Sequence, residues 1–154
     1  MLITGDADID LRQPEGALNE YYRAFNSHDM VLMERNWDAG PDASMYHPLG
    51  GLRRGWEGIR GLYEQIFSGP AGVMVQFQDF TLQRANNAFL AFGVERGILR
   101  SQQASLEFEI RTSRFYNWRG GAWRQQHYHG SIDEPDMLAR YHSLVLTGQM
   151  QAGS

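Results

Sequence analysis

The order of two hydrophobic patterns along the chain most limits the fold that it can adopt. Up to residue 67, apolar side chains recur every three or four positions, which is the spacing of a buried helix face. Between residues 73 and 132, apolar and polar side chains alternate over long stretches, as they do in half-buried antiparallel strands. A run of helices followed by a run of strands predicts the α+β class.

The first half of the chain contains three predicted helices and one short strand. Proline suits a first helical turn and aspartate suits an N-cap, and Pro14 and Asp29 stand where two of the helical patterns begin. A break rich in glycine, proline and aspartate separates the second helix from the strand. The predicted helices cover residues 14–27, 30–37 and 56–67, and the predicted strand covers residues 43–46.

The second half contains four predicted strands and a final helix. Asparagine and glycine pairs mark tight turns between strands, because both residues tolerate the left-handed backbone region. The predicted strands cover residues 73–82, 89–99, 105–116 and 123–132, and a helix begins at Pro135. We therefore expect a loose N-terminal arm (1–12), one domain (13–133), and a C-terminal helix and tail (134–154).

Composition excludes several classes of chemistry. The chain has no cysteine, which excludes thiol catalysis, disulfides and iron–sulfur ligation, and no lysine, which excludes Schiff-base catalysis. A formal net charge of −4 argues against a nucleic-acid partner, because nucleic-acid-binding proteins usually carry a basic face. No stretch has the apolar length of a membrane span or the basic and apolar start of a signal peptide, so we expect a cytoplasmic protein without a membrane partner.

His47 is the first candidate for a functional residue, because it ends the short strand and is followed by Pro48. The ordinary histidine pKa of about 6.5 allows proton transfer near neutral pH. A histidine at a strand end beneath helices is therefore placed as a general base would be. The alternative is a structural histidine whose ring bonds a loop carbonyl.

The element order and three local motifs resemble the nuclear transport factor 2-like superfamily, which includes ketosteroid isomerase, SnoaL-type polyketide cyclases and the calcium/calmodulin-dependent kinase II association domain. The motifs are YYRAFNSHD over 21–29, GWEGIRGLY over 55–63 and WRQQHYHGS over 123–131. The resemblance covers about residues 14–133. It implies a cone-shaped barrel, in which a curved and mainly antiparallel sheet holds helices on its concave face, as in cystatin-like and ketosteroid isomerase-like folds.

The resemblance also implies roles for particular residues. In the ketosteroid isomerase-like branch, an aspartate before this proline is the general base, and His47 stands at that position. Tyr21 stands where the tyrosine that stabilises the oxyanion is found. Trp37 and Tyr63 match aromatic pocket positions. Arg114 matches an arginine that lines the pocket of the kinase association domain, where it would favour an anionic ligand.

These positions also have structural explanations. The tyrosines could be plain core packing, and Arg114 could form a surface ion pair. No acidic residue is identified as a second oxyanion donor. The other side chains that we expect to line the pocket are Phe108, Thr112, Gln126 and Tyr128.

Two further segments are weaker candidates. His127 and His129 point to one side of the last strand, a spacing that suits a metal, but a third ligand is not identified and we predict no metal site. We expect these histidines and Trp123 on the outer sheet face, partly covered in a homodimer. The glycine-rich, basic loop over 50–55 lacks phosphate-binding spacing, and a lid or a solvated loop is predicted there.

These features predict a SnoaL-like small-molecule pocket protein. It would be a cofactor-independent isomerase, cyclase or dehydratase that uses His47 as general base on a small hydrophobic or anionic, carbonyl-containing ligand. The alternative is a non-catalytic ligand-binding or oligomerisation domain of the same fold, which Arg114 and the outer histidines favour.

Overall fold

A computed structural model describes residues 2–150 as one sheet with four helices. The helices are α1 (Pro14–Ser27), α2 (Met30–Asn36), α3 (Gly55–Phe67) and α4 (Pro135–Thr147). The strands are β1 (Leu2–Ile3), β2 (Ser44–Tyr46), β3 (Leu52–Arg54), β4 (Gly72–Arg84), β5 (Ala88–Arg100), β6 (Ser105–Arg119) and β7 (Ala122–Ser131). No helix in this range is both long and apolar enough to cross a membrane.

The strands form one curved, unclosed sheet in the order β1-β4-β5-β6-β7-β2-β3. Neighbouring strands are antiparallel except β2 and β7, which run parallel and pair Ser44 with His127 and Tyr46 with His129. Long strands carry a right-handed twist that accumulates across the sheet and makes it curl. The predicted α+β class and the curved, mainly antiparallel sheet are confirmed.

The helices bury one face against the concave side of the sheet. The predicted cap of α2 is present, since Asp29 Oδ1 accepts the Leu32 N–H at 3.0 Å. Helix α2 ends one residue before Trp37, which is extended and buried instead of helical. The buried apolar residues of α1 and α3 include Leu18, Tyr21, Tyr22, Phe25, Ile59, Leu62, Tyr63 and Ile66.

Two bulges bend the long strands. Asp79 in β4 adopts a positive φ of 52° at the point where the pairing of β4 with β5 shifts. In β7 the extra residue is Gln126, because Phe115 pairs with His127 whereas the next residue of β6, Tyr116, pairs with Gln125. Each bulge leaves one residue out of the pairing and increases the local twist.

The β7 bulge corrects the predicted facing of that strand. Regular alternation predicts Gln126 inside and Trp123 outside, but an extra residue shifts the alternation by one position. Trp123 and Gln125 are therefore buried before the bulge, and Tyr128 is buried after it. Gln126 is only half-buried and accepts a hydrogen bond from Asn117 Nδ2 at 3.2 Å.

The N-terminal residues are docked, which corrects the predicted loose arm. Strand β1 pairs with β4 and buries Ile3. Arg23 Nε donates to the Gly5 carbonyl at 2.7 Å, and the Trp123 main-chain N–H donates to the Leu11 carbonyl at 3.0 Å. A two-residue strand is too short to produce a periodic sequence signal, so its pairing with a distant strand was not predictable.

Part of the glycine-rich segment is also ordered as a strand, which corrects the predicted lid or solvated loop. Gly50 and Gly51 adopt positive φ values of 98° and 80°, which suit glycine, and they turn the chain back on itself. Strand β3 then pairs antiparallel with β2. The turn therefore holds the segment around His47 against the edge of the sheet.

Helix α4 packs over β5 and β6 and against His47. Tyr141 is buried with its ring 5.3 Å from that of Phe108, and Leu144 and Val145 are buried beside it. His142 Nε2 lies 2.5 Å from the Pro48 carbonyl oxygen. The C-terminal helix is thus joined to the segment that follows β2.

Replacing Gly16 with alanine tests the docking of the N-terminal residues. A Cβ at Gly16 would lie 2.0 Å from the Asp10 carbonyl oxygen, so the backbone of one segment must shift. We expect Gly16→Ala to lower the free energy of unfolding by about 1–3 kcal/mol in urea denaturation. Gly61→Ala is the matched helical control, because nothing lies within 4 Å and alanine should stabilise α3 by about 1 kcal/mol. Equal effects of the two changes would contradict a docked N-terminus.

Candidate functional site

Arg114 lies in β6 with its side chain fully buried. Its Nη1 donates to Gln125 Oε1 at 2.6 Å, and its Nε and Nη2 donate to the Tyr22 hydroxyl at 3.3 and 3.1 Å. The guanidinium carbon lies 3.6 Å from the ring centre of Tyr21 and 4.5 Å from that of Tyr128, within cation–π range. A surface ion pair is therefore ruled out for this arginine.

The charge of Arg114 is retained in the interior. Burial by itself lowers the pKa of this guanidinium, but Tyr22, Tyr21 and Glu95 raise the pKa well above its ordinary value. A buried charge is tolerated only when hydrogen bonds and opposite charge compensate it. The Arg114 contacts supply both.

Glu95 in β5 is an acidic partner that the sequence analysis does not identify. It is 4 % exposed, and its Oε1 accepts hydrogen bonds from the hydroxyls of Tyr128 and Thr112, each at 2.8 Å. The same oxygen lies 3.6 Å from Arg114 Nη2. One signal could have revealed it, because alternation from Phe89 places Glu95 on the inward side of its strand.

Three of the predicted aromatic residues form a hydrogen-bonded chain. Trp37 Nε1 donates to the Tyr63 hydroxyl at 3.2 Å, and that hydroxyl lies 2.9 Å from the hydroxyl of Tyr21. Because Tyr63 accepts from Trp37, it can donate its own proton to Tyr21, which leaves the Tyr21 proton for another acceptor. Burial raises the pKa of both tyrosines, so both stay protonated at neutral pH.

His47 follows β2 and is 8 % exposed. Its Nδ1 accepts the Leu49 main-chain N–H at 3.1 Å, so the neutral ring carries its proton on Nε2. Nε2 forms no hydrogen bond with residues 2–150. Burial, followed by the positive charges of Arg114 and Arg53, lowers the pKa of His47 to about 3 and keeps the ring neutral at pH 7.

Tyr128 connects His47 to the Arg114 centre. The His47 ring lies 6.0 Å from the Tyr128 ring and 6.4 Å from the Tyr141 ring. Arg114 stacks on the same Tyr128 ring, and Glu95 accepts its hydroxyl. No hydrogen bond or ring contact among residues 2–150 joins His47 to Tyr21, so the two predicted catalytic residues lie in neighbouring parts of one interior cluster.

Sequence reasoning also missed a polar path from this centre to the surface. Gln125 Nε2 donates to Asn36 Oδ1 at 3.2 Å, and Asn36 Nδ2 donates to Glu20 Oε1 at 3.1 Å. Glu20 is fully buried and pairs at 2.6 Å with Arg35, whose side chain is half exposed. These residues hold Gln125 in the orientation in which it accepts from Arg114.

The outer histidines lie away from the interior cluster. His127 Nδ1 is 2.7 Å from the Ser44 hydroxyl, and the His129 ring lies 5.1 Å from the ring of Tyr46. Across residues 2–150, no group of three or more histidine, aspartate or glutamate side chains is placed to hold a metal ion.

One large groove lies away from the predicted site. A groove of about 840 Å³ runs between the N-terminal residues and the outer face of β4 to β6. Of the predicted site residues, only Phe108 lines it. The Arg114 centre is instead packed, and most of its polar groups bond one another, so a ligand there must displace side chains or enter beside His47.

The fold and its buried polar centre define a small α+β domain, and the sequence identifies the family. The SnoaL-like domain profile matches residues 15–134, and the chain therefore belongs to the SnoaL-like family. No curated protein matches the sequence at a significant level.

Solved structures with the same fold carry several different descriptions. A candidate dehydratase of the NTF2-like family from Streptomyces avermitilis has a TM-score of 0.71 and 14% identity, with 77% of this chain and 92% of that chain covered. An NTF2-like superfamily protein from Salmonella enterica has a TM-score of 0.69 and 19% identity over 77% of this chain and 87% of that chain. The CaMKII hub of S. rosetta has a TM-score of 0.66 and 15% identity, with 75% of this chain and 92% of that chain covered. At these identities the likeness establishes the fold.

His47 should remain neutral at pH values at which an ordinary imidazole is charged. The unfolded state takes up this proton below about pH 6.5, whereas the folded ring does so only near pH 3, so stability falls as the pH decreases through this window. The free energy of unfolding changes by about 1.4 kcal/mol per pH unit in this window. Between pH 6.5 and 4.5, the free energy of unfolding of the wild type should therefore fall by about 2–3 kcal/mol more than that of His47→Gln, as measured by urea denaturation.

Nitrogen-15 NMR of the imidazole checks both the charge and the tautomer, and the variant assigns the signal. A His47 ring that is charged at pH 6, or that is protonated on Nδ1, would contradict the described geometry.

Proposed function

We propose that the protein binds a small carbonyl-containing compound beside His47 and Tyr128 and catalyses proton transfer next to the carbonyl without a cofactor. The product would be an isomerised, cyclised or dehydrated compound. The observation that carries the proposal is the buried, neutral His47 ring, whose Nε2 has no partner among residues 2–150. Nε2 is not fully enclosed by protein, because Trp56 Nε1 is the one fully buried side-chain nitrogen or oxygen without a partner among residues 2–150, so a ligand can reach His47 Nε2 and bond it.

His47 contacts the reacting group through Nε2. In the tautomer described, Nε2–H donates a hydrogen bond to the carbonyl oxygen and stabilises the charge that develops there. The general-base role predicted from the sequence requires the proton to move to Nδ1, which breaks the bond from Leu49. Either role needs the ring neutral at the start, as its lowered pKa provides.

Tyr21 and Arg114 supply the remaining polar contacts. Tyr63 and Trp37 orient the Tyr21 hydroxyl, which is the proposed oxyanion donor. Arg114 uses three of its five N–H donors in the hydrogen bonds described, so donors remain for a carboxylate or an enolate oxygen. This arrangement favours a ligand that is anionic or becomes anionic during the reaction.

Aromatic side chains provide the apolar contacts of the proposed site. Tyr128 and Tyr141 pack on His47, and Phe108 packs on Tyr141. These rings favour a ligand with a compact hydrophobic body. Thr112 acts through Glu95, since its hydroxyl donates to that carboxylate. Gln126 is less suited to a direct contact, because its amide oxygen bonds Asn117.

Hydrogen–deuterium exchange next to a carbonyl tests proton transfer without knowledge of the natural substrate. Pyruvate and cyclohexanone, an anionic and a neutral ketone, are incubated with the protein in deuterium oxide and followed by proton NMR. We expect exchange above the buffer rate with the wild type and a loss of about 100-fold with His47→Ala.

His129→Gln is the matched control, because His129 is an exposed histidine on the outer sheet face. It should exchange both ketones at the wild-type rate. Wild-type exchange no faster than buffer with both ketones, or full exchange by His47→Ala, would argue against the proposal.

A non-catalytic ligand-binding or oligomerisation domain is the second candidate. The packing of the interior favours it, because Arg114, Trp37 and Tyr128 are almost completely buried and the Arg114 centre is already hydrogen-bonded. The likeness to the CaMKII hub also supports it. A ligand that raises the melting temperature of the wild type but undergoes no exchange would favour this second candidate.

We further propose that the protein forms a homodimer through the outer face of β5, β6, β7 and β2. Leu90 and Phe115 are paired across two strands and half-buried, although they point away from the core. Tyr46 adds an aromatic ring that is 43% exposed beside His129. Leu90 and Phe115 form a small apolar patch on this sheet face, and apolar surface of this kind favours self-association. The cytoplasmic location stays a prediction.

Phe115→Glu should convert the dimer to a monomer in sedimentation velocity at micromolar concentration, because it places a charge within the apolar patch. Val31→Glu is the control, since Val31 is 81% exposed on α2 and lies outside the sheet. A monomeric wild type would contradict the proposed dimer, and equal dissociation by both changes would contradict its location.

A further inference from the structure

Glu95 is a buried carboxylate in which Oε1 accepts hydrogen bonds and Oε2 accepts none from residues 2–150. Both hydroxyl donors, Tyr128 and Thr112, bond Oε1, and Arg114 Nη2 is nearest to that same oxygen. Oε2 receives no hydrogen bond from residues 2–150. Oε2 is also not fully enclosed, because Trp56 Nε1 is the one fully buried side-chain nitrogen or oxygen without a partner in residues 2–150, so a group brought by a ligand can reach it.

Oε2 of Glu95 belongs to the same interior cluster as Nε2 of His47. Tyr128 contacts both residues, through its hydroxyl to Glu95 at 2.8 Å and through its ring to His47 at 6.0 Å. The centre of the Tyr141 ring lies 6.4 Å from that of the His47 ring. Burial is the main cause that raises the pKa of Tyr141, and the charge of Glu95 raises it further. Glu95, which can accept a proton, and His47, which can donate a hydrogen bond, therefore both lie next to Tyr128.

Strand packing fixes the position of Glu95. A Cβ added at Gly97 would lie 2.8 Å from the Phe108 ring, and one at Gly93 would lie 2.6 Å from Phe80 Cβ. Larger residues at these two positions would push β5 away from its neighbours. The two glycines keep the strand close to them and hold the glutamate backbone rigidly, as a general base requires.

We infer that Glu95 is the proton acceptor of the site and that His47 donates a hydrogen bond through Nε2–H to the ligand carbonyl, an inference that rests on the proposed proton-transfer function. The C–H bond next to the carbonyl breaks, its proton goes to Glu95 Oε2, and the electron pair moves onto the carbonyl oxygen as an enolate. His47 Nε2–H stabilises that oxygen, and Glu95 returns the proton to carbon. The ligand class is a compact ketone or 2-oxo acid with an acidic C–H bond.

This assignment removes the need for His47 to change its tautomer. The Leu49 N–H stays on Nδ1 throughout the reaction, and the ring acts only as a neutral donor. A glutamine at position 47 keeps an N–H donor, whereas a glutamine at position 95 cannot accept the proton. The two substitutions should therefore differ in severity.

The experiment measures deuterium exchange of pyruvate and cyclohexanone with Glu95→Gln, Glu95→Asp, His47→Gln and, as control, Glu109→Gln. Glu109 is a half-exposed glutamate on the outer face of β6 and should leave exchange unchanged. We expect Glu95→Gln to lose about 100-fold or more, Glu95→Asp to recover part of the rate, and His47→Gln to lose about 10-fold.

The outcomes separate the two proposals. Exchange by the wild type together with exchange by Glu95→Gln within twofold of it would overturn the role of Glu95 and leave the proposed function standing. No exchange by the wild type would overturn the proposed function itself. If circular dichroism shows that Glu95→Gln does not fold, Glu95→Asp is the deciding variant, since an unchanged exchange rate in that variant would overturn the assignment.

Discussion

The Arg114 guanidinium lies inside the sheet without contact with water, and much of the structure is organised around that charge. Its partners come from distant parts of the chain: Tyr21 and Tyr22 from α1, Glu95 from β5, and Gln125 and Tyr128 from β7. Removal of one partner from a buried ion pair typically costs about 3–5 kcal/mol, because the other charge is left uncompensated. The first helix and the central strands are therefore held together by one electrostatic requirement as well as by apolar packing.

The shape of the sheet determines which side chains can reach this charge. The bulge at Gln126 turns Gln125 inward and keeps Tyr128 inward on the other side of the extra residue. Gly130 leaves the space that the Tyr128 hydroxyl occupies, since a Cβ there would lie 2.2 Å from that oxygen. Backbone irregularities and a small residue thus admit large polar aromatic side chains that a regular strand would exclude.

The sequence was a good guide to the secondary-structure elements, and it named several residues that lie together in the interior. Periodicity located α1, α3 and the long strands, because their buried faces repeat over many residues. The resemblance placed Tyr21, Tyr63, Trp37 and Arg114 in one interior, and the structure brings these four residues into contact. It did not reveal Glu95 or the polar path through Asn36, because a single polar residue on an inward position does not indicate its partner. Gln126 was misplaced because a bulge interrupts the alternation without an obvious local signal.

What the sequence determined by itself was the class of fold, the order of its elements and the absence of thiol and lysine chemistry, because these depend on periodicity and composition. Tertiary structure decided the remaining features: the docking of the N-terminal residues, the inward side of β7, the tautomer of His47 and the partners of Arg114. These features depend on contacts between segments that are far apart in the chain. Burial and neighbouring charge then changed the chemistry of His47, making a residue with an ordinary pKa near neutrality into a neutral ring with a pKa of about 3.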